Sequence, residues 1–357
     1  MAPDALLAAL ARLVPAMQEQ ATALDADETF PEQEFQALRN LGALVAPLPL
    51  RLGGYGAGTE PEGCDLLVGM LRTLGQGNLA IGRIFEAHVN ALQLIVAFGS
   101  APQVERAAAD VRDGLLFGLW VTDPPGQALT LEAGSLRGCK GPCSAGGHVT
   151  RAVVTILTAT GTQMAVVPID GIVGIEPMRG VLQGMRACSN AVVRFNETSL
   201  PDDAIIGGPG DYLREPHLST GAWRTTAVTL GGLEALVTAT KSQLARRGHQ
   251  DALLQQDRFG RMLIAQETAR LWTVSAARCA EAGEVPVADR VAYVNLARIA
   301  VETACLDTMR LAQRALGLAA FLRPNPVERL LRDLAVYLRQ PAPDAVLTEA
   351  AAHAFSV

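Results

Sequence analysis

Aromatic residues make up only 4% of this 357-residue chain, charged residues only 18%, and histidine occurs five times. With few aromatics and much Ala, Leu and Val in a 49% hydrophobic chain, the composition predicts mainly helical packing. Cysteine is also sparse. Six in a chain of this length are too few for a disulfide scaffold, which points to reduced thiols and a cytoplasmic setting. Positive charge is not in excess: a net charge of -6, with no block of like charge, argues against a nucleic-acid surface as the main business. No run of about 18 consecutive apolar residues is present, so no membrane span is expected. The opening MAPDALLAALARL has no basic n-region and includes Asp4, unlike a secretory signal peptide.

What is present divides the chain into three. A single core does not serve 357 residues well, and two or three domains are expected. Residues 5–24 place Leu6, Leu10, Leu13 and Met17 on one side of a helix. A second helix starts near Thr29 and Pro31 and closes at Gly42. After the Pro/Gly-rich loop APLPLRLGGYGAG, helical spacing resumes over 60–74, 79–98 and 104–111. From Gly114 the texture changes to short β-branched runs separated by Gly, Pro, Asp and Ser, which reads as an antiparallel β domain ending near Asp211. Four long helical stretches follow, at 226–246, 253–282, 289–317 and 326–340, enough for a four-helix bundle. The expected α+β architecture is thus a helical domain (1–112), a β domain (113–211) and a helical bundle (212–357).

The last long stretch, PVERLLRDLAVYLRQPAPD, has a Pro at its start, an apolar face through Leu330, Leu331, Leu334 and Val336, and prolines at 341 and 343 that end it. It is expected to stop at Gln340. Asp344 is expected to cap a final helix over 345–354.

Several segments follow in a telling order: FPEQEFQALRNLGALVAPLPLRLGGYGAG (30–58), the strand Leu119-Trp-Val-Thr-Asp-Pro124, the hairpin from Leu136 to Gly147, Gly184-Met-Arg-Ala-Cys-Ser, and the late pair Ala315-Leu-Gly317 and Pro326 to Asp333. Together they resemble the acyl-CoA dehydrogenase family. The resemblance implies FAD, a flavin oxidoreductase, a small-molecule substrate such as an acyl-CoA thioester, and a homodimer or homotetramer. It implies Val121 and Thr122 at the pyrimidine end of the flavin and Ser144 near its N5. Arg247 and Arg258, with Gly317 from a neighbouring subunit, would hold the pyrophosphate, because guanidinium forks fit it bidentately. Arg224 would meet a substrate phosphate.

The departures are equally specific. The family's G-x-G-S-D is PPGQALTL here, its hairpin Trp falls on Pro142, and its G-G-x-G loop has become Gly317-Leu-Ala-Ala320. Its catalytic Glu falls on Pro341, which has no acid–base group. The alternative position for that Glu reads Gly-Ala-Trp223-Arg224, again with no carboxylate. No catalytic residue is therefore assigned. Asp344 or Glu215 as a relocated base, a flavin monooxygenase that dispenses with the Glu, and a non-catalytic binding or assembly module all stay open. Cys139, Cys143 and His148 lack a fourth ligand and do not read as a zinc site.

Overall fold

The N-terminal apolar stripe becomes α1 (Pro3–Asp27) in the computed structural model, which describes residues 2–170, 172, 174–201 and 203–356. The Pro/Gly-rich loop after α2 (Glu32–Asn40) is built from short 3-10 turns. It leads into α3 (Cys64–Gly77), α4 (Leu79–Phe98) and α5 (Ala101–Arg112). Helix α5 starts in a capping box, with Gln103 Oε1 accepting the Ser100 N–H at 2.7 Å. Helix α4 has polar residues that interrupt any continuous apolar run, yet by length and composition alone its 20 residues could cross a membrane. In the fold 78% of its most apolar 18-residue window is buried inside the protein, as in a core helix.

The middle region is one eight-stranded sheet in the order β6-β7-β3-β2-β4-β5-β8, with β1 beside β4. The strands are β1 (Phe117–Trp120), β2 (Thr130–Glu132), β3 (Ser135–Cys143), β4 (Arg151–Thr158), β5 (Gly161–Pro168), β6 (Gly174–Pro177), β7 (Ala191–Ser199) and β8 (Ile205–Ile206). Most pairings are antiparallel, as expected, but β1 and β2 each run parallel to β4. The β2–β3 hairpin and its connection to β4 supply the crossover that parallel neighbours need.

Four long helices do follow: α7 (Ala222–Arg246), after the short α6 (His217–Thr220), then α8 (Leu253–Glu281), α9 (Val287–Leu316) and α10 (Pro326–Tyr337). The last ends three residues before Gln340, because Arg339 and Gln340 donate their N–H groups in tight turns to Val336 and Leu338. The final helix, α11, starts at Pro343, so Asp344 lies in its first turn rather than at its cap. Helices α3 and α7 cross at backbone contact. A Cβ on Gly75 would lie 2.2 Å from the Val228 carbonyl oxygen, and one on Gly231 2.0 Å from that of Arg72.

One apolar cluster runs through all three regions, with Phe85, Phe195 and Trp223 among its buried members. A second lies between α4, α5 and the sheet. His88 joins α4 to both neighbours: its Nε2 lies 2.9 Å from the Leu44 carbonyl oxygen, while Nδ1 accepts the Phe117 N–H at 3.1 Å. That pair of contacts fixes the Nε2–H tautomer. Helix α10 is clamped by ions. Arg332 donates to both Asp25 oxygens at 3.0 and 2.7 Å, to Glu328, and to the Gln183 carbonyl at 2.9 Å.

Candidate functional site

The end of β1 and the end of β3 meet at one corner. Trp120 is buried, and its Nε1 donates to the Ser144 carbonyl at 3.2 Å. The Gly141 N–H donates to the Thr122 carbonyl at 3.0 Å. Below them Lys140, only 1% exposed, pairs with Asp123 at 2.6 Å and donates to Thr155 Oγ1 at 2.9 Å. Burial lowers the Lys140 pKa, and the Asp123 carboxylate works against that. Val121, Thr122 and Ser144 are thus brought together. Their backbone N–H groups donate to no partner among the described residues. Thr122 is exposed, and Ser144 Oγ donates to Asn190 Oδ1 at 3.3 Å. Undonated N–H groups along a partly open edge suit a ligand rimmed by carbonyl and ring-nitrogen acceptors, such as the pyrimidine end of a flavin.

Arg247, Arg258 and Gly317 gather at the opposite end of the bundle. Arg247 caps α7, and its Nη1 donates to the Leu316 carbonyl at 3.2 Å, one residue before Gly317. Gln255 Nε2 reaches the Ala315 carbonyl, also at 3.2 Å, and Arg258 Nη1 donates to Gln255 Oε1 at 3.1 Å. The two arginines therefore stand at the C-terminal end of α9, where cations complement the helix dipole. Among the described residues no hydrogen bond or ion pair joins this group to the 121–144 corner.

The loop after α10 holds no base. Pro341 is exposed, and its carbonyl accepts a hydrogen bond from Arg298. Arg298, Thr225, Thr229, Glu302, Tyr337 and Gln340 line a small cleft beside it. Glu302 is the carboxylate in that cleft, and it pairs with Arg339 at 2.5 Å. The two carboxylates expected as relocated bases sit elsewhere. Asp344 is exposed on α11, and exposed Glu215 accepts the Ser219 N–H at 3.1 Å, closing the first turn of α6.

Arg224, expected at a substrate phosphate, is 5% exposed and faces inward. It donates to Asn90 Oδ1 at 3.1 Å and to the Gly58 carbonyl at 3.3 Å. Beside it lies a polar cluster that motif reading missed. Glu86, 2% exposed, accepts from Tyr337 Oη at 2.7 Å, Thr225 Oγ1 at 3.0 Å, Arg83 at 3.1 Å and Asn90 at 3.2 Å. The available signal was a lone Glu in the apolar run LAIGRIFEAHVNALQLI, since a charge there needs partners.

Comparison with known proteins follows the same lines. Residues 212–338 match the family model described as acyl-CoA dehydrogenase, C-terminal domain. The match ends three residues before Pro341. The very long-chain specific acyl-CoA dehydrogenase, mitochondrial, of Macaca fascicularis is 22% identical over 353 residues. The alignment covers 88% of this chain and 51% of that protein, so the chain spans about half the length of that relative. Among solved structures, a glutaryl-coenzyme A dehydrogenase in complex with glutaryl-CoA superposes with a TM-score of 0.87 at 20% identity, covering 99% of this chain and 95% of that one. KijD3 in complex with FMN and a dTDP-amino-keto sugar superposes with a TM-score of 0.84, also at 20% identity, covering 99% and 94%. The order helical domain, sheet, helical bundle is the architecture these structures share. The chain has the acyl-CoA dehydrogenase fold, and its residues 212–338 resemble that family's C-terminal domain.

Proposed function

We propose that the chain is an FAD-dependent oxidoreductase whose reaction differs from α,β-dehydrogenation with the family's Glu base. The observation that carries this reading is the contrast between two places. The 121–144 corner keeps a row of undonated N–H groups where a flavin edge fits, while the loop at Pro341 offers no acid–base side chain. A bound flavin would supply hydride and electron transfer. The chain would orient it through Val121, Thr122 and Ser144, with Lys140 and Asp123 fixing the strand beneath. Arg247 and Arg258 would take the pyrophosphate from a second copy, giving a homodimer or homotetramer. A second copy is also favoured by exposed Leu253, Leu254, Ile264 and Leu271 on α8 and by Leu318 and Phe321 after α9. The substrate is a small molecule, and a CoA thioester would have to avoid the occupied interior around Glu86.

A flavin monooxygenase on the same fold is the second reading. It is favoured by the missing base together with the polar, close-packed Glu86 cluster between α4, α7 and α10, which leaves little room for an apolar chain there. The test begins with colour. Purified protein should carry a yellow flavin, released on denaturation and identified as FAD rather than FMN by chromatography. Colourless protein that takes up neither flavin ends both readings and leaves a non-catalytic module. With flavin bound, an anaerobic panel of acyl-CoAs should leave the absorbance unbleached. Bleaching would mean that ordinary dehydrogenation survives without the Glu.

A further inference from the structure

A partly open cleft of about 140 Å³ beside the 144–190 contact has no role in the function proposed above. It lies between the C-terminal end of α1, the β3–β4 turn and the β6–β7 connection. Six residues define its chemistry: Glu28, His148, Arg179, Arg186, Ser189 and Asn190. We propose that this cleft binds a phosphate-bearing ligand.

The lining is rich in donors and its single carboxylate is already satisfied. Glu28 accepts the Gly180 N–H at 3.0 and 2.9 Å and an Arg186 Nη2–H at 2.6 Å, so its charge is spent inside the protein. Arg179 makes no hydrogen bond and no ion pair within 4 Å among the described residues, its charge acting only at longer range to help lower the Glu28 pKa, and Arg186 Nε is buried with no partner. Two guanidinium groups against one paired carboxylate leave the cleft with an excess positive charge. The Ser189 hydroxyl and the Asn190 amide N–H₂ are also undonated among the described residues, since Asn190 engages Ser144 through its oxygen. His148 stacks on Phe30 with centroids 4.3 Å apart and is held neutral by burial, so it adds a polar edge without a charge.

Backbone strain marks the same loop. Met185 (φ 55°) and Ser189 (φ 45°) both adopt the left-handed region on either side of one 3-10 turn. Such conformations are costly for non-glycine residues and persist where the surroundings enforce them. Here they turn Ser189 and Asn190 toward the cleft that Arg179 and Arg186 flank. A carboxylate has two oxygens and one charge. A phosphate group offers three strong acceptor oxygens and roughly -1.5 to -2 charges, which matches two guanidinium forks and several neutral donors better.

The inference stands apart from the flavin reading, because its test reads phosphate binding and not colour. Isothermal titration of the purified full-length chain, with any flavin it carries, uses inorganic pyrophosphate as the probe. One saturable site is expected, with affinity falling as NaCl rises. Arg179→Ala should weaken it about ten-fold, as expected for loss of a charge-assisted contact, and Arg179→Lys should restore part of that loss. Arg179 is exposed and unbonded, so neither change should disturb folding. Absence of binding at millimolar pyrophosphate would overturn the proposal. So would binding that Arg179→Ala leaves intact and Arg247→Ala abolishes, since the phosphate would then sit at the far end of the bundle.

Discussion

Asp333 Oδ1 accepts the backbone N–H of Met185 at 2.7 Å, tying α10 to the sheet across 148 residues of sequence. Both groups are buried, and Asp333 also pairs with Arg329 at 2.9 Å. Next to this bond the chains touch closely: a Cβ on Gly184 would lie 2.2 Å from the Arg332 carbonyl oxygen. Helix α10, whose start resembles the family's late helix, is therefore the one that holds the strained 185–189 loop.

Asp333→Ala should cost about 3–5 kcal/mol in urea unfolding, the usual range for leaving one member of a buried ion pair alone. Arg329 would lose its carboxylate, and the Met185 N–H its acceptor. Asp333→Asn keeps an acceptor and should cost less. Equal losses for the two variants would contradict this account.

His88 makes stability depend on pH in the acid range. Burial pushes its pKa from 6.5 down to about 4, so the folded protein keeps the ring neutral where the unfolded chain protonates it. Between pH 6.5 and 4 the unfolded state binds more protons, and stability therefore falls as pH falls. The loss attributable to this residue is about 3 kcal/mol across that window. His88→Gln should be less stable at pH 7 but show a flatter profile over the same range. An unchanged slope would assign the acid sensitivity to other groups.

Lys140→Met should both destabilise the protein and weaken flavin retention. It would strand Asp123 and remove the donor to Val121 and Thr155. A cost of about 2–4 kcal/mol is expected, below the fully buried limit because Asp123 remains partly exposed. Flavin release measured by fluorescence should be faster than in the parent protein. Full flavin retention would detach Lys140 from that corner's role.

Pro341→Glu should not restore bleaching by acyl-CoAs. The new carboxylate would stand beside Arg298, which already donates to the carbonyl of residue 341. A guanidinium neighbour lowers a carboxyl pKa, whereas a general base needs one raised toward neutrality. Stopped-flow absorbance under anaerobic conditions decides it, and rapid bleaching by this single variant would show that the base alone was missing.

Tyr337→Phe should cost about 1–2 kcal/mol, because Glu86 would lose one of four donors but remain solvated by the other three. Thermal unfolding compared with Thr225→Ala and the double variant gives the coupling between the two donors. Strict additivity would mean that they do not share the carboxylate as the geometry requires.

The order of domains was legible in the sequence because periodicity and turn chemistry are local. The apolar spacing of 79–98 and the Leu79 and Phe98 boundaries survive folding unchanged, since neighbours along the chain decide them. The lack of an acid–base group at position 341 was legible for the same reason: a proline side chain carries no proton whatever surrounds it. Partnerships across the fold were not. Nothing local says that Arg224 faces Asn90 and Gly58, that Glu86 meets Tyr337 251 residues away, or that Glu28 accepts from Arg186 while Arg179 donates no hydrogen bond among the described residues. Those choices depend on which side chains a packed interior leaves without water, and on where the remaining donors must then turn.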